Sequence, residues 1–464
     1  MITFIITLIT FLSTFFSIYH LLSSFRYRKE PIIRVGKHLK FSIIIPCYNE
    51  ARILANTIAG LLKLDYDYDN LEVIFVNDGS DDNTMEVLSE QLEMREYQDE
   101  GRIYATGKIK IFQSNKYPHI YVIDKENSGK ADSLNKGIKF SHNELIVTMD
   151  GDCILDKDAL NVMNQVFQDE EIIASGGVIH VMQYFLLNKK SKPIIALQAL
   201  DYMKGFYIYK ASLSCNNALS IISGAFGVFR KDALEAVGGF RSGLGEDIDI
   251  TLKLQEYAQK NNKKITYDLR AICYTECPET WTDLARQRVR WQKAFWDAMS
   301  KNRKFIIRKF FECNVCLFIL LDAAFSGTMA VISFLFNFIL ISLRVIYGFP
   351  PLFIVLMALA LVFNILCSLI AIYRWEKITV PQVEKGSKEI LENGRVNLKY
   401  LFMSIITDTL CFSLLRIYYF IKGTISYSLN HKRWDKVART SNSYIVLNQR
   451  EDCENEKQLM KTMA

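Results

Sequence analysis

"IVTMDGDCIL", residues 146–155, is an apolar run that ends on two carboxylates, Asp150 and Asp152, held apart by one glycine. A short run rich in β-branched residues closed by an Asp-Gly pair reads as a buried strand followed by a tight corner. Taken alone, the corner reads as a solvated turn, since Asp-Gly triplets of this kind are common. Working outward overturns that reading, because three earlier stretches repeat the pattern: "KFSIIIP" (40–46), "LEVIFVND" (71–78) and "YVIDKE" (121–126), with helical stretches between them. Continuous apolar strands separated by helices imply an α/β domain, a mostly parallel sheet covered on both faces. Ligands of such sheets bind outside the carboxyl ends of the strands. The polar clusters fall there: "CYNE" (47–50), "NDGSDD" (77–82), "ENSGKADSLN" (126–135) and "DGD" (150–152). Two acids at one strand end repel unless a cation joins them, and a hard divalent ion, Mg2+ or Mn2+, suits oxygen ligands.

The chain has 464 residues, half of them hydrophobic, and the apolar excess gathers at its ends. Residues 1–25 carry no Asp, Glu, Lys or Arg, enough at about 1.5 Å per residue to cross a hydrocarbon layer of roughly 30 Å. A cleaved secretory signal is the competing reading, but no basic start and no small-residue cleavage site accompany it. Arg26, Arg28 and Lys29 follow directly, which places the next domain in the cytosol. Further apolar stretches cover residues 314–342, 351–373 and 400–421. Three spans would leave the basic segment 430–439 outside, so one stretch is expected to be interfacial or re-entrant, with 305–325 the candidate. Asp408 and Arg416 lie inside the last stretch, either lining a polar path or pairing between helices. The expected organisation is a transmembrane helix at 1–25, a cytosolic domain at 38–304, interfacial and transmembrane helices at 305–429, and a basic segment with a polar cytosolic tail at 430–464. The expectation is a multi-pass protein of the cell membrane.

A net charge of +6 is modest, and its cations cluster beside the apolar stretches, notably "KNRKFIIRK" (301–309). That pattern fits anionic lipid headgroups and calls for no nucleic acid. Ten cysteines in no disulfide framework fit a reducing compartment. Cys273, Cys277, Cys313 and Cys316 can be written as two zinc half-sites, but the first pair flanks Glu276 and the second enters an apolar stretch, so no zinc cluster is expected.

In the order "IIIPCYNE" (43–50), "VNDGSDDNT" (76–84), "DGD" (150–152), "GEDIDIT" (245–251) and "RQRVRW" (286–291), the chain resembles the membrane-bound, processive family 2 glycosyltransferases, which include the cellulose, chitin, hyaluronan and poly-N-acetylglucosamine synthases. The resemblance covers about residues 41–304 and the apolar stretches on both sides. It implies a GT-A nucleotide-sugar domain flanked by transmembrane and interfacial helices. Pro46, Tyr48 and Glu50 would then border the uridine, and Asp78 would accept from the uracil or ribose edge. Many relatives have two acids where this chain has Asn77 and Asp78. Lys130 would meet the diphosphate at a helix start, where backbone N–H groups also favour anions. Asp150 would hold the ribose or share the metal, and Asp152 would bind the cation. Asp247, with Glu246 beside it, would be the base of an inverting transfer. Asp249 is read instead as a solvated or capping residue. Gln287, Arg288 and Arg290 would face the donor and Trp291 would floor the acceptor sugar, while Phe295 and Trp296 read as lipid-facing. "QKAFWD" (292–297) departs from the Arg-Gly or Gln-Gly of many relatives, which leaves the acceptor subclass open. The insertion at 95–120 reads as a lid or surface hairpin.

The resemblance therefore implies an enzyme that extends, and exports, a β-linked polysaccharide from a UDP-sugar donor, UDP-N-acetylglucosamine being favoured. Its partners would be the growing polysaccharide acceptor, the lipid bilayer and, in some systems, an accessory membrane protein. Two alternatives stay open: transfer of one sugar to a lipid carrier, and a silent membrane scaffold that binds nucleotide or glycan.

Overall fold

The computed structural model of the chain describes residues 2–27, 37–98, 109–186, 192–324, 351–383 and 398–429. Arg28, Lys29, the middle of the 95–120 insertion, the apolar residues 325–342 and the segment 430–464 lie outside the described residues.

The centre is one sheet of ten strands: β1 (Phe41–Cys47), β2 (Leu71–Asp78), β3 (Met94–Glu96), β4 (Lys110–Ser114), β5 (Ile120–Lys125), β6 (Leu145–Met149), β7 (Cys153–Leu155), β8 (Ile172–Val181), β9 (Phe226–Arg230) and β10 (Lys264–Thr275). Their order across the sheet is β3-β4-β5-β2-β1-β6-β9-β8-β10-β7. The block β5-β2-β1-β6 is parallel, as its apolar runs require. Ile44 of β1 sits between Ile74 of β2 and Thr148 of β6, and all three are buried. Beyond β6 the expectation of a mostly parallel sheet is corrected. β9 runs antiparallel to both β6 and β8, β7 is antiparallel to β10, and β3 and β4 form an antiparallel edge. The sheet is mixed. A strand buried on both faces is apolar whichever way it runs, so hydrophobicity could not reveal the reversal.

The reversal gathers loops at one end. Met149 pairs with Phe226, so the residues leading into β9 emerge beside Asp150. Thr275 pairs with Cys153, so Glu276 and Cys277, which follow β10, emerge beside Asp152. Both additions meet the ends of β1, β2, β5 and β6. The insertion at 95–120 supplies the β3–β4 hairpin at the far edge.

The helices used below are α1 (Ile2–Ser24), α2 (Lys130–Phe140), α3 (Pro193–Lys204), α4 (Glu246–Asn261), α5 (Trp281–Lys301), α6 (Asn314–Asp322), α7 (Pro351–Val383), α8 (Leu398–Thr407) and α9 (Ser413–Leu429). α2 lies so close on β1 that a Cβ at Gly137 would stand 2.4 Å from Ile44 Cγ2. That contact seats the amino end of α2, with Lys130, at the strand ends. Within the segment 1–25, Ile2–Ser24 form α1, whose Phe11, Phe15 and Leu22 are exposed. Among residues described with their side chains, one helix is long and apolar enough to cross a membrane, Ala358–Thr379 within α7. The pair Tyr400–Phe412 and Leu414–Leu429 satisfies the same criterion only as a single span broken by a 48° bend. In the 305–325 segment Ile307 and Phe311 are exposed beside Arg308 and Lys309, while Phe305 and Ile306 are buried.

Asp408 stands at that bend with no exposed surface. Lys204 Nζ lies 2.5 Å from its Oδ2 and Arg416 Nη1 lies 2.9 Å from its Oδ1. Arg416 also reaches Asp201 Oδ1 at 3.1 Å, and Asp201 Oδ2 pairs with Arg288 Nη2 at 2.9 Å. The ionisable residues of the last stretch are therefore ion-pair partners that link α8–α9 to α3 and α5. Removing one member of a buried pair leaves an uncompensated charge. Asp408→Ala is expected to lower unfolding stability by about 3 kcal/mol, read as a fall in thermal midpoint in detergent. Glu256→Ala, which breaks an exposed pair with Lys260, should change it by under about 0.5 kcal/mol.

Candidate active site

The strand ends enclose a cleft of about 740 Å³. Its walls bring together ten of the residues singled out from the sequence: Pro46, Tyr48, Glu50, Asp78, Lys130, Asp150, Asp152, Glu246, Gln287 and Arg290. Asp247 stands just behind Glu246, whereas Arg288 and Trp291 lie outside the cleft wall.

Loops after β1 and β2 are fastened to each other. The Asn49 N–H donates to Ser80 Oγ at 3.0 Å, and the Asp81 N–H donates back to Asn49 Oδ1 at 2.8 Å. Asn49 adopts a φ of 58°, a left-handed conformation that asparagine tolerates better than most residues. The Tyr48 hydroxyl donates to Asp81 at 3.3 Å, and the Glu50 N–H donates to Thr84 Oγ1 at 2.9 Å.

Asp78 is buried, and its carboxylate holds the next loop. It accepts from the Ser128 N–H at 2.9 Å and the Gly129 N–H at 2.8 Å, and it pairs with the Lys125 ammonium. Gly129 takes a φ of 96°, which a side chain would resist, and so turns the chain into α2. Asn77 explains the departure from an acid pair. Its Nδ2 donates to Asp124 Oδ1 at 2.7 Å while its Oδ1 accepts from the Ser80 hydroxyl at 2.6 Å. A carboxylate there would face that of Asp124.

Lys130 bridges the acids. Its Nζ lies 2.6 Å from Asp150 Oδ1 and 3.1 Å from Glu246 Oε1. Burial by itself would lower its pKa, but Asp150 first and then Glu246 outweigh it and hold the ammonium above its ordinary range. Asp247 opens α4. Burial, and then the neighbouring Glu246, push its pKa up to about 6, against the pull of Lys130 and of N–H groups from Ile248 and Gly224. The Ile248 N–H donates to Asp247 Oδ1 at 2.9 Å and the Gly224 N–H to Oδ2 at 3.4 Å. Gly224 belongs to the turn before β9, so the reversed strand helps to hold this carboxyl group.

α5 distributes its motif over two faces. Gln287 and Arg290 turn to the cleft. Arg288 turns to Asp201 and stacks 4.4 Å above the Trp291 ring, whose centroid is 6.3 Å from that of Tyr202. Two expectations are corrected. Asp249 is neither solvated nor a cap: it is buried, paired with Arg241 and accepts from Asn302 Nδ2 at 2.8 Å. Trp296 does not face lipid, because its Nε1–H donates to Thr424 Oγ1 of α9 at 2.9 Å and its ring packs with Phe295 against buried residues. The sequence reading missed Lys125, Asn127, Glu276 and Cys277 as parts of the site. "AICYTECPE" (271–279) has the same signal as the recognised loops, an apolar run ending in an acid and a proline.

Among the described residues no three metal-ligating side chains of the His, Cys, Asp or Glu type converge on one point. Asp150 and Asp152 offer hard oxygen donors on one wall, which suits a small divalent cation that completes its shell with phosphate and water.

A mixed α/β sheet thus gathers paired acids, a bridging lysine and an Arg-Gln helix face at its strand ends, an arrangement suited to an anionic ligand. Residues 42–238 match the family model described as glycosyl transferase family 2, and residues 145–373 match that of glycosyl transferase family group 2. Together the two matches run from residue 42 to residue 373, and the chain is a glycosyltransferase similar to family 2 enzymes of the poly-N-acetylglucosamine synthase kind. It is 28% identical over 328 residues to the poly-beta-1,6-N-acetyl-D-glucosamine synthase of Staphylococcus epidermidis, covering 66% of this chain and 71% of that one. It is 30% identical over 292 residues to the enzyme of the same name from Staphylococcus aureus strain COL, covering 61% and 63%. The fold is shared with the mannosyltransferase PcManGT from Pyrobaculum calidifontis, solved with GDP-Man and Mn2+, at a TM-score of 0.55 and 15% identity over 92% of this chain and 100% of that one.

Asn77→Asp is expected to set two carboxylates in contact and to cost about 1–2 kcal/mol of stability at pH 7. Like-charge contact raises the pair's folded pKa values, so the loss is full above them and recedes as pH falls towards 4. Equal denaturation midpoints of variant and wild type at both pH values would remove this account of Asn77.

Proposed function

We propose that the chain polymerises a β-linked polysaccharide from a UDP-sugar, with UDP-N-acetylglucosamine as donor, by inverting and processive transfer. The observation that carries this reading is the meeting of Asp150, Asp152 and Glu246 with Lys130, Gln287 and Arg290 in one cleft, with Asp247 directly behind. The names of the staphylococcal relatives support the sugar.

Tyr48 and Pro46 offer flat walls for the uracil ring. Lys130 and Arg290 bring positive charge to the diphosphate, and Lys130 must exchange a carboxylate partner for a phosphate oxygen as the donor enters. Asp150 and Asp152 would hold Mg2+ or Mn2+. Such an ion, when bound, offsets the negative charge that gathers on the departing diphosphate. Asp247, with both oxygens aimed by backbone N–H groups, takes the proton of the acceptor hydroxyl. A pKa near 6 leaves it ionised at neutral pH yet basic enough to accept that proton. Trp291 presents its exposed ring face to the acceptor sugar, and the guanidinium of Arg288 fixes the plane of that ring.

The enzyme works at the cell membrane with this domain in the cytosol. α1, the apolar span in α7 and the bent α8–α9 pair are its anchors in a multi-pass arrangement, and the product leaves beside them.

In lipid nanodiscs with Mg2+ or Mn2+, wild-type enzyme given UDP-N-acetylglucosamine alone is expected to make a long labelled polymer. A one-sugar lipid would replace the reading by transfer to a carrier, and UDP binding without transfer would replace it by a silent scaffold. Asp247→Asn should lower kcat by at least about a hundredfold with unchanged UDP affinity, and Asp152→Ala should weaken metal-dependent UDP binding by about tenfold. Since only ionised Asp247 is a base, kcat/KM should rise through about pH 6 and level off above it.

A further inference from the structure

Arg288 and Trp291 stand three residues apart on α5, so their side chains share one face of that helix. The Arg288 guanidinium lies 4.4 Å from the centroid of the Trp291 ring and 5.8 Å from that of Tyr202. A guanidinium over an aromatic face orients ring and cation together. Trp291 keeps 39% of its surface exposed, so part of its ring is open to a ligand.

What aims Arg288 is Asp201, which directly precedes Tyr202 on α3. Its Oδ2 lies 2.9 Å from Arg288 Nη2, and its Oδ1 lies 3.1 Å from Arg416 Nη1. The two oxygens of one carboxylate therefore hold α5 and α9, while the next residue on α3 lays its ring beside the same guanidinium. Arg288 and Asp201 have only 14% and 17% of their side-chain surfaces exposed, so salt screens their attraction weakly. α5 and α9 also meet without help from α3. A Cβ at Gly423 would stand 2.5 Å from Gln292 Cβ, and Trp296 Nε1–H donates to Thr424. That contact fixes how near the two helices lie; Asp201 fixes where the Arg288 side chain points between them.

We propose that Asp201 is a positioning residue for the acceptor sugar: it holds Arg288 against Trp291 and so keeps the open part of that ring set for the growing chain. This rests on the proposed reading of a processive enzyme. Asp201 is not among the residues that line the cleft, so its loss should leave the donor alone and act on how long the chain stays bound. Product length is set by the ratio of extension to release. A weaker hold on the acceptor therefore shortens the polymer without changing the affinity for UDP.

The test uses the full chain in nanodiscs with UDP-N-acetylglucosamine and Mg2+ or Mn2+, sizing the labelled product and measuring UDP affinity by calorimetry. Asp201→Asn keeps the shape of the carboxylate and removes its charge. Arg288→Lys keeps a charge for Asp201 but gives up the flat group that stacks on Trp291, and it carries the test alone should Asp201→Asn not fold. Each is expected to shorten the mean product about fivefold, with UDP affinity within about twofold of wild type. The double variant should match the single ones, because both changes act through one contact. Unchanged length in the single variants overturns the proposal. So does a double variant with the two losses multiplied, to about twenty-five-fold, or a loss of UDP affinity as large as the loss of length. Wild type that makes no polymer overturns the processive reading itself, and the acceptor role of Asp201 with it.

Discussion

Everything in this molecule turns on mutual repulsion among carboxylates collected at one end of a sheet. Asp150, Asp152, Glu246 and Asp247 converge because β1, β2, β5 and β6 all point the same way and because α4 delivers its first turn to the same place. Two such charges about 4 Å apart cost on the order of 4 kcal/mol at an effective dielectric constant of 20. Lys130 offsets this by bridging Asp150 and Glu246, and burial first, with Glu246 second, leaves Asp247 a weaker acid than usual. Under the proposed reading, the internal ammonium and an incoming metal–diphosphate pair would serve alternate states of one electrostatic arrangement.

Much of that arrangement was legible in the sequence because apolar runs closed by polar corners mark strand ends directly. "CYNE", "NDGSDD", "ENSGKADSLN" and "DGD" all reached the same cleft. Strand direction was not legible, since β9 and β8 are buried on both faces and carry no alternation to orient them. Nor was the task of Asp78, whose carboxylate at a strand end binds the Ser128 and Gly129 N–H groups and Lys125 while its backbone carbonyl accepts from Asn127 Nδ2. Its partners come from the following strand and loop, which only the β2–β5 register makes adjacent. Arg288 and Arg290 were grouped by motif. Helical geometry separates Arg288 from Gln287 by about 100°, and that difference decides which residue sees the cleft.

Asp249 and Trp296 were misread for a related reason. An acid in the first turn of a helix and an indole on a helix beside apolar stretches each have a common surface explanation. Both are overridden by partners from outside the helix, Arg241 of the preceding loop and the distant Asn302 for the acid, and the distant Thr424 for the indole. Pattern within one helix specifies which faces differ; it does not specify what arrives to cover them.

α5 is the element on which these separate faces act together. One face gives Gln287 and Arg290 to the cleft, another gives Arg288 to Asp201, and a third fixes Trp296 to Thr424. Asp201 is held in turn by Arg416, and Arg416 by the buried Asp408 at the bend of the apolar helices. A charge buried at that bend would be a liability if α8–α9 merely held the domain against a membrane, because an apolar residue would pack there without desolvation cost. Paired as it is with Lys204 and Arg416, Asp408 instead fixes the orientation of the bend relative to α3 and α5. The Trp291 ring beneath Arg288 thereby has its position set from both sides, by the sheet domain and by the apolar helices.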